Sequence, residues 1–101
     1  MSRYQVTPAA DADLEEIWQR ISSEAGPMTA DSVEQELHVA MVRVGEFPHM
    51  GRLREDLADE PLRVVVVHRF LIIYRAENTP VEIVRVLHGA RDVEAVLRGM
   101  S

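Results

Sequence analysis

Cysteine and lysine are both absent from this chain of 101 residues. The lack of cysteine excludes disulfides and thiolate metal sites, and it suits a reducing cytoplasm. Leaving histidine aside, the basic residues are eleven arginines. A guanidinium group forks well onto phosphate but is a poor proton donor, so the sequence favours arginine for binding anions and histidine for any proton transfer.

Long uninterrupted apolar segments are also missing. The longest, from Leu62 to Ile73, is broken by Arg63 and by the pair His68-Arg69, and it is too short to span a bilayer. The first residues lack the apolar run of a signal peptide. The length fits one domain, residues 1–101, and nearly half of the side chains are apolar, enough for a single core. These features predict one soluble cytoplasmic domain with no membrane contact.

Charge is distributed unevenly along the chain. Residues 1–50 carry three Arg and nine Asp or Glu, a balance of 3 − 9 = −6, whereas residues 51–101 carry eight of each sign and balance to zero. An acidic first half repels nucleic acid, and the net charge of −6 argues against a protein whose affinity comes from neutralising phosphates. We therefore expect no direct sequence-specific binding of nucleic acid.

Two amphipathic helices are predicted in the first half, after a short strand around Tyr4 and Val6. Thr7-Pro8 is typical of a helix start, because the hydroxyl caps the first turn and proline is tolerated there. Gly26-Pro27 ends this helix. The apolar stripe of the first helix is Leu14, Ile17, Trp18 and Ile21, and that of the second is Ala30, Val33, Leu37, Met41 and Val44. The second helix is predicted to begin near Thr29 or Asp31 and to end before Pro48.

The second half changes to the pattern of a sheet. After an irregular stretch over residues 48–61, three segments rich in β-branched and aromatic residues predict strands at Leu62–Val67, Phe70–Ala76 and Val81–Leu87. A short helix follows around Val93 to Leu97. The order β-α-α-β-β-β-α predicts an α+β fold, with an antiparallel sheet packed against an N-terminal helical hairpin. Strands that are apolar on both faces indicate a second cover, which we expect a partner to supply.

Four residues are candidates for chemistry on phosphate: Arg63, Arg85, His88 and Arg91. Cleavage of RNA through its 2′-hydroxyl needs a base, an acid and cations at the scissile phosphate, and a histidine among arginines can supply them. The structural alternative is that His88 caps a strand end, that Arg85 pairs with Glu82 or with a neighbouring strand, and that Arg91 holds Asp92 or the terminal helix. Surface pairs of that kind are common and contribute little stability. Glu34 and His38 lie one helical turn apart and could ligate a metal, but no second pair of ligands is evident, so a solvated helix face is the better interpretation.

Four further segments carry motifs that occur together in this order: Thr7-Pro8-x-Ala10-x-x-Asp13-Leu14-x-x-Ile17, Phe47-Pro48-x-x-Gly51, Ile72-Ile73-Tyr74-Arg75 and Val86-Leu87-His88-Gly89-x-Arg91-Asp92. Together they resemble the ParE/RelE toxin superfamily of bacterial toxin–antitoxin modules. The resemblance covers nearly the whole chain. It implies the fold given above and one of two activities, because one branch cuts mRNA on the ribosome and the other poisons DNA gyrase.

The two branches differ in the side chains that they place on the sheet. Members of the mRNA-cleaving branch carry two basic residues in the strand before the hairpin turn, an arginine after it, another behind the last strand, and a tyrosine in the tail. Aligned without gaps on Ile72-Ile73-Tyr74, these positions fall on Leu62, Val64, Leu71, Arg91 and Leu97. If the alignment is shifted by one residue, Arg63 falls on one of the two basic positions of the strand. His88 matches a histidine of some mRNA-cleaving relatives. The apolar positions indicate a binding surface, and the Val-Leu-His-Gly-x-Arg-Asp ending is more typical of the ParE branch.

The resemblance therefore implies a ParE-like toxin that binds gyrase, with no catalytic residue and with Arg63, Arg85, His88 and Arg91 as candidates for binding the target. It implies no cofactor and no metal. The expected partners are a cognate antitoxin, DNA gyrase and, for the free protein, a second copy of the chain. One alternative is an mRNA interferase that uses His88 and Arg91 with Arg63 or Arg85. Another is a non-toxic member of the fold that only binds its antitoxin.

Overall fold

The computed structural model describes residues 3–89 and 93–98, and in them a helical hairpin lies on one face of a five-stranded sheet. The elements are β1 (Tyr4–Val6), α1 (Pro8–Ala25), α2 (Pro27–Glu46), β2 (Arg52–Arg54), β3 (Leu62–Val67), β4 (Phe70–Arg75), β5 (Val81–His88) and α3 (Val93–Arg98). The strand order is β1-β5-β4-β3-β2. This architecture confirms the predicted α+β fold. Within the described ranges, no helix is both long enough and apolar enough to cross a membrane.

The helix boundaries follow from local chemistry. The Thr7 hydroxyl accepts a hydrogen bond from Ala10 N (3.1 Å) and donates one to Val84 O (2.9 Å), so the cap of α1 also ties that helix to β5. Gly26 adopts φ 93°, a left-handed conformation that favours glycine, and its N–H bonds Ser22 O. α2 then begins at Pro27, ahead of the predicted Thr29 or Asp31, because proline itself is compatible with the first position of a helix.

The sheet contains one strand that the sequence did not predict and one parallel pair. β2 lies within the stretch expected to be irregular, and its sequence Arg-Leu-Arg is too short and too polar to show strand periodicity. Pairing with β3 forms it, since Arg52, Leu53 and Arg54 align with Val64, Arg63 and Leu62. β1 runs parallel to β5, whereas the other neighbours are antiparallel as expected.

A first hydrophobic cluster fills the space between the helical hairpin and the sheet. Its buried members are Ala10, Leu37, Met41, Val44, Phe70, Ile72, Tyr74, Ala76, Val81, Ile83 and Val86. Most residues of the two predicted apolar stripes belong to this cluster or pack against it: Leu14, Ile17, Ile21, Val33, Leu37, Met41 and Val44. Trp18 is half-buried at its border, and its indole N–H donates to Asp31 Oδ1 (2.8 Å), which joins the two helices.

A second cluster buries the opposite face of the sheet, where we expected an uncovered surface awaiting a partner. Its buried members are Leu57, Leu62, Val64, Ile73, Val84, Leu87 and Leu97. α3 and the segment around Leu57 supply the cover, so this expectation was wrong: the chain itself closes most of the face. Val66 remains 66% exposed on the same side of β3, beyond the reach of the cluster.

Because α3 covers this face, substitutions at two of its apolar residues should differ in their effect on the stability of the protein. Leu97→Ala should lower the free energy of unfolding by about 2 kcal/mol, because it leaves a cavity over β3 and β5. Val66→Ala, the matched control, should change it by less than about 1 kcal/mol. Urea denaturation followed by circular dichroism measures both values. Equal, small losses in the two variants would show that α3 does not seal the sheet.

Candidate functional site

Arg85 is held by the carboxylate of Asp13. Its Nε and Nη2 donate to Asp13 Oδ2 and Oδ1 at 2.6 and 2.7 Å, and Val86 N donates to the same Oδ2 at 3.0 Å. The two side chains are 15% and 7% exposed. The hydrogen bonds to Asp13 raise the pKa of Arg85 above its usual value, so the guanidinium stays charged and engaged. This pair joins α1 to β5. Because Nε and Nη2 both donate to Asp13, this edge of the Arg85 guanidinium is not available to bind a phosphate.

The pairing of Arg85 differs from the expected pair with Glu82, and a β-bulge explains why. Ile73 aligns with Arg85 but Tyr74 aligns with Ile83, so β5 contains one extra residue at Val84. A bulge changes the alternation of faces along a strand and redirects side chains. Glu82 pairs instead with Arg75, which also binds Glu60.

Arg63 has a structural role in the turn between α2 and β2. Its Nη1 donates to Gly51 O at 2.8 Å and to His49 O at 3.4 Å. The buried hydroxyl of Tyr74 accepts from Gly51 N (2.9 Å) and donates to Pro48 O (2.7 Å) in the same turn. Burial raises the pKa of Tyr74, which keeps the hydroxyl protonated as a donor. The Phe-Pro-x-x-Gly motif is therefore explained by the packing of this turn onto β4.

His88 lies at the opposite end of β4 from Arg63. It aligns with Phe70 and packs edge-on against that ring, with centroids 5.7 Å apart, whereas Arg63 aligns with Tyr74. Four residues of extended strand separate these two positions, a distance of about 13 Å. Since Arg85 is bound to Asp13, the described candidates do not converge on one reaction centre. Arg91 lies outside the described residues.

The ring of His88 borders a groove of about 530 Å³ between α1, the start of α2 and the β3–β4 turn. Ile17, Ile21, Val33, Phe70 and Val86 form its apolar lining. Charged and titratable side chains from both layers surround it: Asp13, Glu16, Arg20, Glu24, His68, Arg69 and His88. Acids and bases are mixed at this rim, so it does not form the uniformly cationic surface that a polyanion requires.

Four of the five positions that align with basic residues or tyrosine in the mRNA-cleaving branch are described by the structure, and they lie on the other face, in or against the second cluster. Leu62, Val64 and Leu97 are buried there, and Leu71 packs against them. A scissile phosphate at this face would meet hydrocarbon and α3. At these described positions the side chains are therefore part of the core of this face.

Two residues with central roles were missed by sequence reasoning. From the sequence alone, Asp13 and Tyr74 are recognised only as members of motifs. The spacing of Ala10, Asp13 and Ile17 places the carboxylate on the buried stripe of α1, a signal that it has a charged partner in the core. In the described part of the chain, no three His, Asp or Glu side chains group closely enough to hold a metal ion.

Comparison with known proteins identifies the family. The family model described as ParE toxin of type II toxin-antitoxin system, parDE, matches residues 4–93. Toxin ParE1 of Mycobacterium tuberculosis is 35% identical over 95 residues, which cover 92% of this chain and 95% of that protein. Toxin ParE1 of Caulobacter vibrioides is 31% identical over 97 residues, covering 96% of this chain and 99% of its own.

A solved structure described as the chromosomal ParDE TA system from P. aeruginosa has the same fold. It superposes with a TM-score of 0.71 at 20% identity and covers 84% of this chain and 92% of that chain.

The ion pair between α1 and β5 yields a prediction. Asp13→Asn keeps the shape of the side chain but leaves the Arg85 charge uncompensated, and it should lower the free energy of unfolding by about 3 kcal/mol. Glu60→Gln, the matched control, weakens a more exposed pair with Arg75 and should cost less than about 1 kcal/mol. Chemical denaturation measures both. The double variant Asp13→Asn, Arg85→Met should recover part of the loss; no recovery would mean that the charge of Arg85 is not the cause.

The family match over residues 4–93, together with the motifs at the start of α1, in the turn before β2 and at the end of β5, shows that this chain belongs to the ParE toxin family of type II toxin–antitoxin systems.

Proposed function

We propose that this toxin inhibits DNA gyrase, cleaves no RNA, and is neutralised in the cytoplasm by a cognate antitoxin. The observation that carries the choice of activity is the second cluster. Leu62, Val64 and Leu97 occupy the positions at which the mRNA-cleaving branch carries polar catalytic groups, and their burial supports a non-catalytic protein. The gyrase target follows from the resemblance to the ParE branch.

The antitoxin part of the proposal has separate support. The solved structure with the same fold is described as a ParDE toxin–antitoxin system. An antitoxin tail that folds as it binds is the expected form of such a partner, since small toxins are masked by occupying their surface. The net charge of −6 is concentrated in the helical half, so an acidic tail would favour the sheet side.

Purified protein assayed for two activities side by side tests the target. We expect inhibition of supercoiling by gyrase on relaxed plasmid, with accumulation of cleaved DNA, and intact mRNA on programmed ribosomes. Ribosome-dependent cleavage with normal supercoiling would replace the proposal by an mRNA interferase. Normal results in both assays would favour the member of the fold that only binds its antitoxin.

His88 separates the two activities more finely. His88→Ala should leave growth inhibition largely intact, because no proton transfer depends on the ring in a protein that only binds. Loss of a catalytic acid or base would instead reduce activity by about 100-fold or more. Growth inhibition at matched expression is the measurement, with circular dichroism to verify folding. A folded His88→Ala protein that loses both toxicity and mRNA cleavage would contradict the proposal.

The uneven charge predicts which side of the toxin meets its target. Eight of the eleven arginines lie beyond position 50, in the half of the sequence that follows the helical hairpin, so Arg91→Glu should weaken growth inhibition strongly. Glu16→Arg, on the exposed surface of α1, changes the charge by the same amount and should have little effect. A toxicity titration at matched expression compares the two. A large effect of Glu16→Arg with none from Arg91→Glu would place the target surface on the helices.

A further inference from the structure

The outward face of α2 carries exposed apolar side chains. Met28 is 87% exposed and Val39 47%, and Val42 is half-buried beside them. At 3.6 residues per turn, these three side chains lie within about 40° of one direction around the helix. That direction is opposite to Leu37 and Val44, which are buried between the helices and the sheet. We call Met28, Val39 and Val42 the outer stripe.

The turn after α2 adds two more exposed apolar side chains. Phe47 is 60% exposed and Met50 47%, so α2 and this turn hold four of the six exposed large apolar side chains in the described residues. The turn is fixed, because the Tyr74 hydroxyl donates to Pro48 O and accepts from Gly51 N. An ordered apolar surface is typical of a protein interface, since it loses little conformational entropy when it binds.

A second copy of α2, lying antiparallel, matches this distribution of apolar side chains. The helix has 20 residues and is about 30 Å long. Met28 precedes Val39 by eleven residues, and Met50 follows Val39 by eleven. When a twofold axis passes beside Val39, the start of each helix therefore meets the turn that ends the other. Apolar side chains then face each other at the axis and at both ends of the contact.

The charges beside the outer stripe also fit a second copy. Glu36 and Arg43 lie about two turns apart on one side of the stripe, and the twofold axis places Glu36 of each copy opposite Arg43 of the other. Parallel helices would instead place like charges together. Arg43 forms no salt bridge within residues 3–89 and 93–98, and His68 contacts only Oε2 of Glu36. Glu46 falls opposite the uncharged Ser32.

We propose that two copies of this chain pair through the outer stripe, with their α2 helices antiparallel. One pair of helices is at the small end of specific interfaces, so we expect a dissociation constant of about 10–100 μM. The outer stripe faces away from the sheet, so the two sheets lie on the outside of the dimer and stay accessible. This inference goes beyond the proposed function, because it assigns an interface whichever enzyme the toxin inhibits.

Sedimentation equilibrium of the purified full chain, over about 1 μM to 1 mM, measures the association. Val39→Glu places two glutamates together at the axis and should weaken the dimer at least about tenfold. The position is exposed and glutamate is a good helix former, so the fold should persist. Val66→Glu, the matched control, makes the same change at an exposed residue of β3 and should leave the affinity unchanged.

An exchange of charges tests the antiparallel register. Glu36→Arg alone sets arginine against arginine, and Arg43→Glu alone sets glutamate against glutamate, so each variant should associate at least about fivefold more weakly than the unchanged chain. An equal mixture of the two variants brings opposite charges together at both contacts. The mixed dimer should therefore recover about the original affinity, with circular dichroism to verify that both variants are folded.

Four results would overturn the inference. They are a monomer at about 1 mM, a dimer that Val39→Glu leaves intact, a dimer that Val66→Glu dissociates, and a mixture of the charge variants that associates no more tightly than its components. A monomeric chain whose Val39→Glu variant no longer inhibits gyrase would assign the outer stripe to the target instead. Sedimentation involves neither gyrase nor RNA, so failure here is distinguishable from failure of the proposed function.

Discussion

The ion pair between Asp13 and Arg85 fixes the relation between the two layers of this toxin. Its carboxylate accepts hydrogen bonds from the Arg85 guanidinium and from Val86 N, so one side chain of α1 sets the position of β5. The bulge at Val84 lies directly beside this contact. In this part of β5, Ile83 and Val86 face the helices, whereas Val84 and Leu87 face away from them. Replacing both partners of such a desolvated pair by apolar residues is often neutral, whereas removing one partner alone is strongly destabilising.

The apolar residues divide into two clusters on opposite faces of the sheet, because alternate residues of a strand point to opposite faces. The helical hairpin covers one face of the sheet, and α3 with Leu57 covers the other. The second cluster supports the proposed function, because it contains positions that align with basic residues and a tyrosine in the mRNA-cleaving branch. Leucine and valine at those positions contribute to folding and offer nothing to a phosphate.

The turn before β2 shows a different use of buried polar groups. Tyr74 lies in the first cluster, yet its hydroxyl reaches the backbone of Pro48 and Gly51, and Arg63 binds the carbonyl of Gly51 from β3. These contacts explain why Phe-Pro-x-x-Gly and Ile-Ile-Tyr-Arg occur together in one chain. They also hold Phe47 and Met50 at the surface, where the packing of the core gives no reason for apolar side chains to be.

The sequence by itself determined the two helices, the three long strands, the short terminal helix and the family, since apolar periodicity and ordered motifs are local properties of the chain. It did not determine β2, because three residues of mixed polarity form a strand only when β3 is beside them. It also predicted four basic or titratable candidates without showing their partners. Only the tertiary structure decided that Arg85 belongs to Asp13, 72 residues away, that Arg63 belongs to a turn, and that the chain covers its own second face. Such pairings depend on which residues the bulge and the strand order bring together. The spacing of residues along the chain does not show which distant residues will meet.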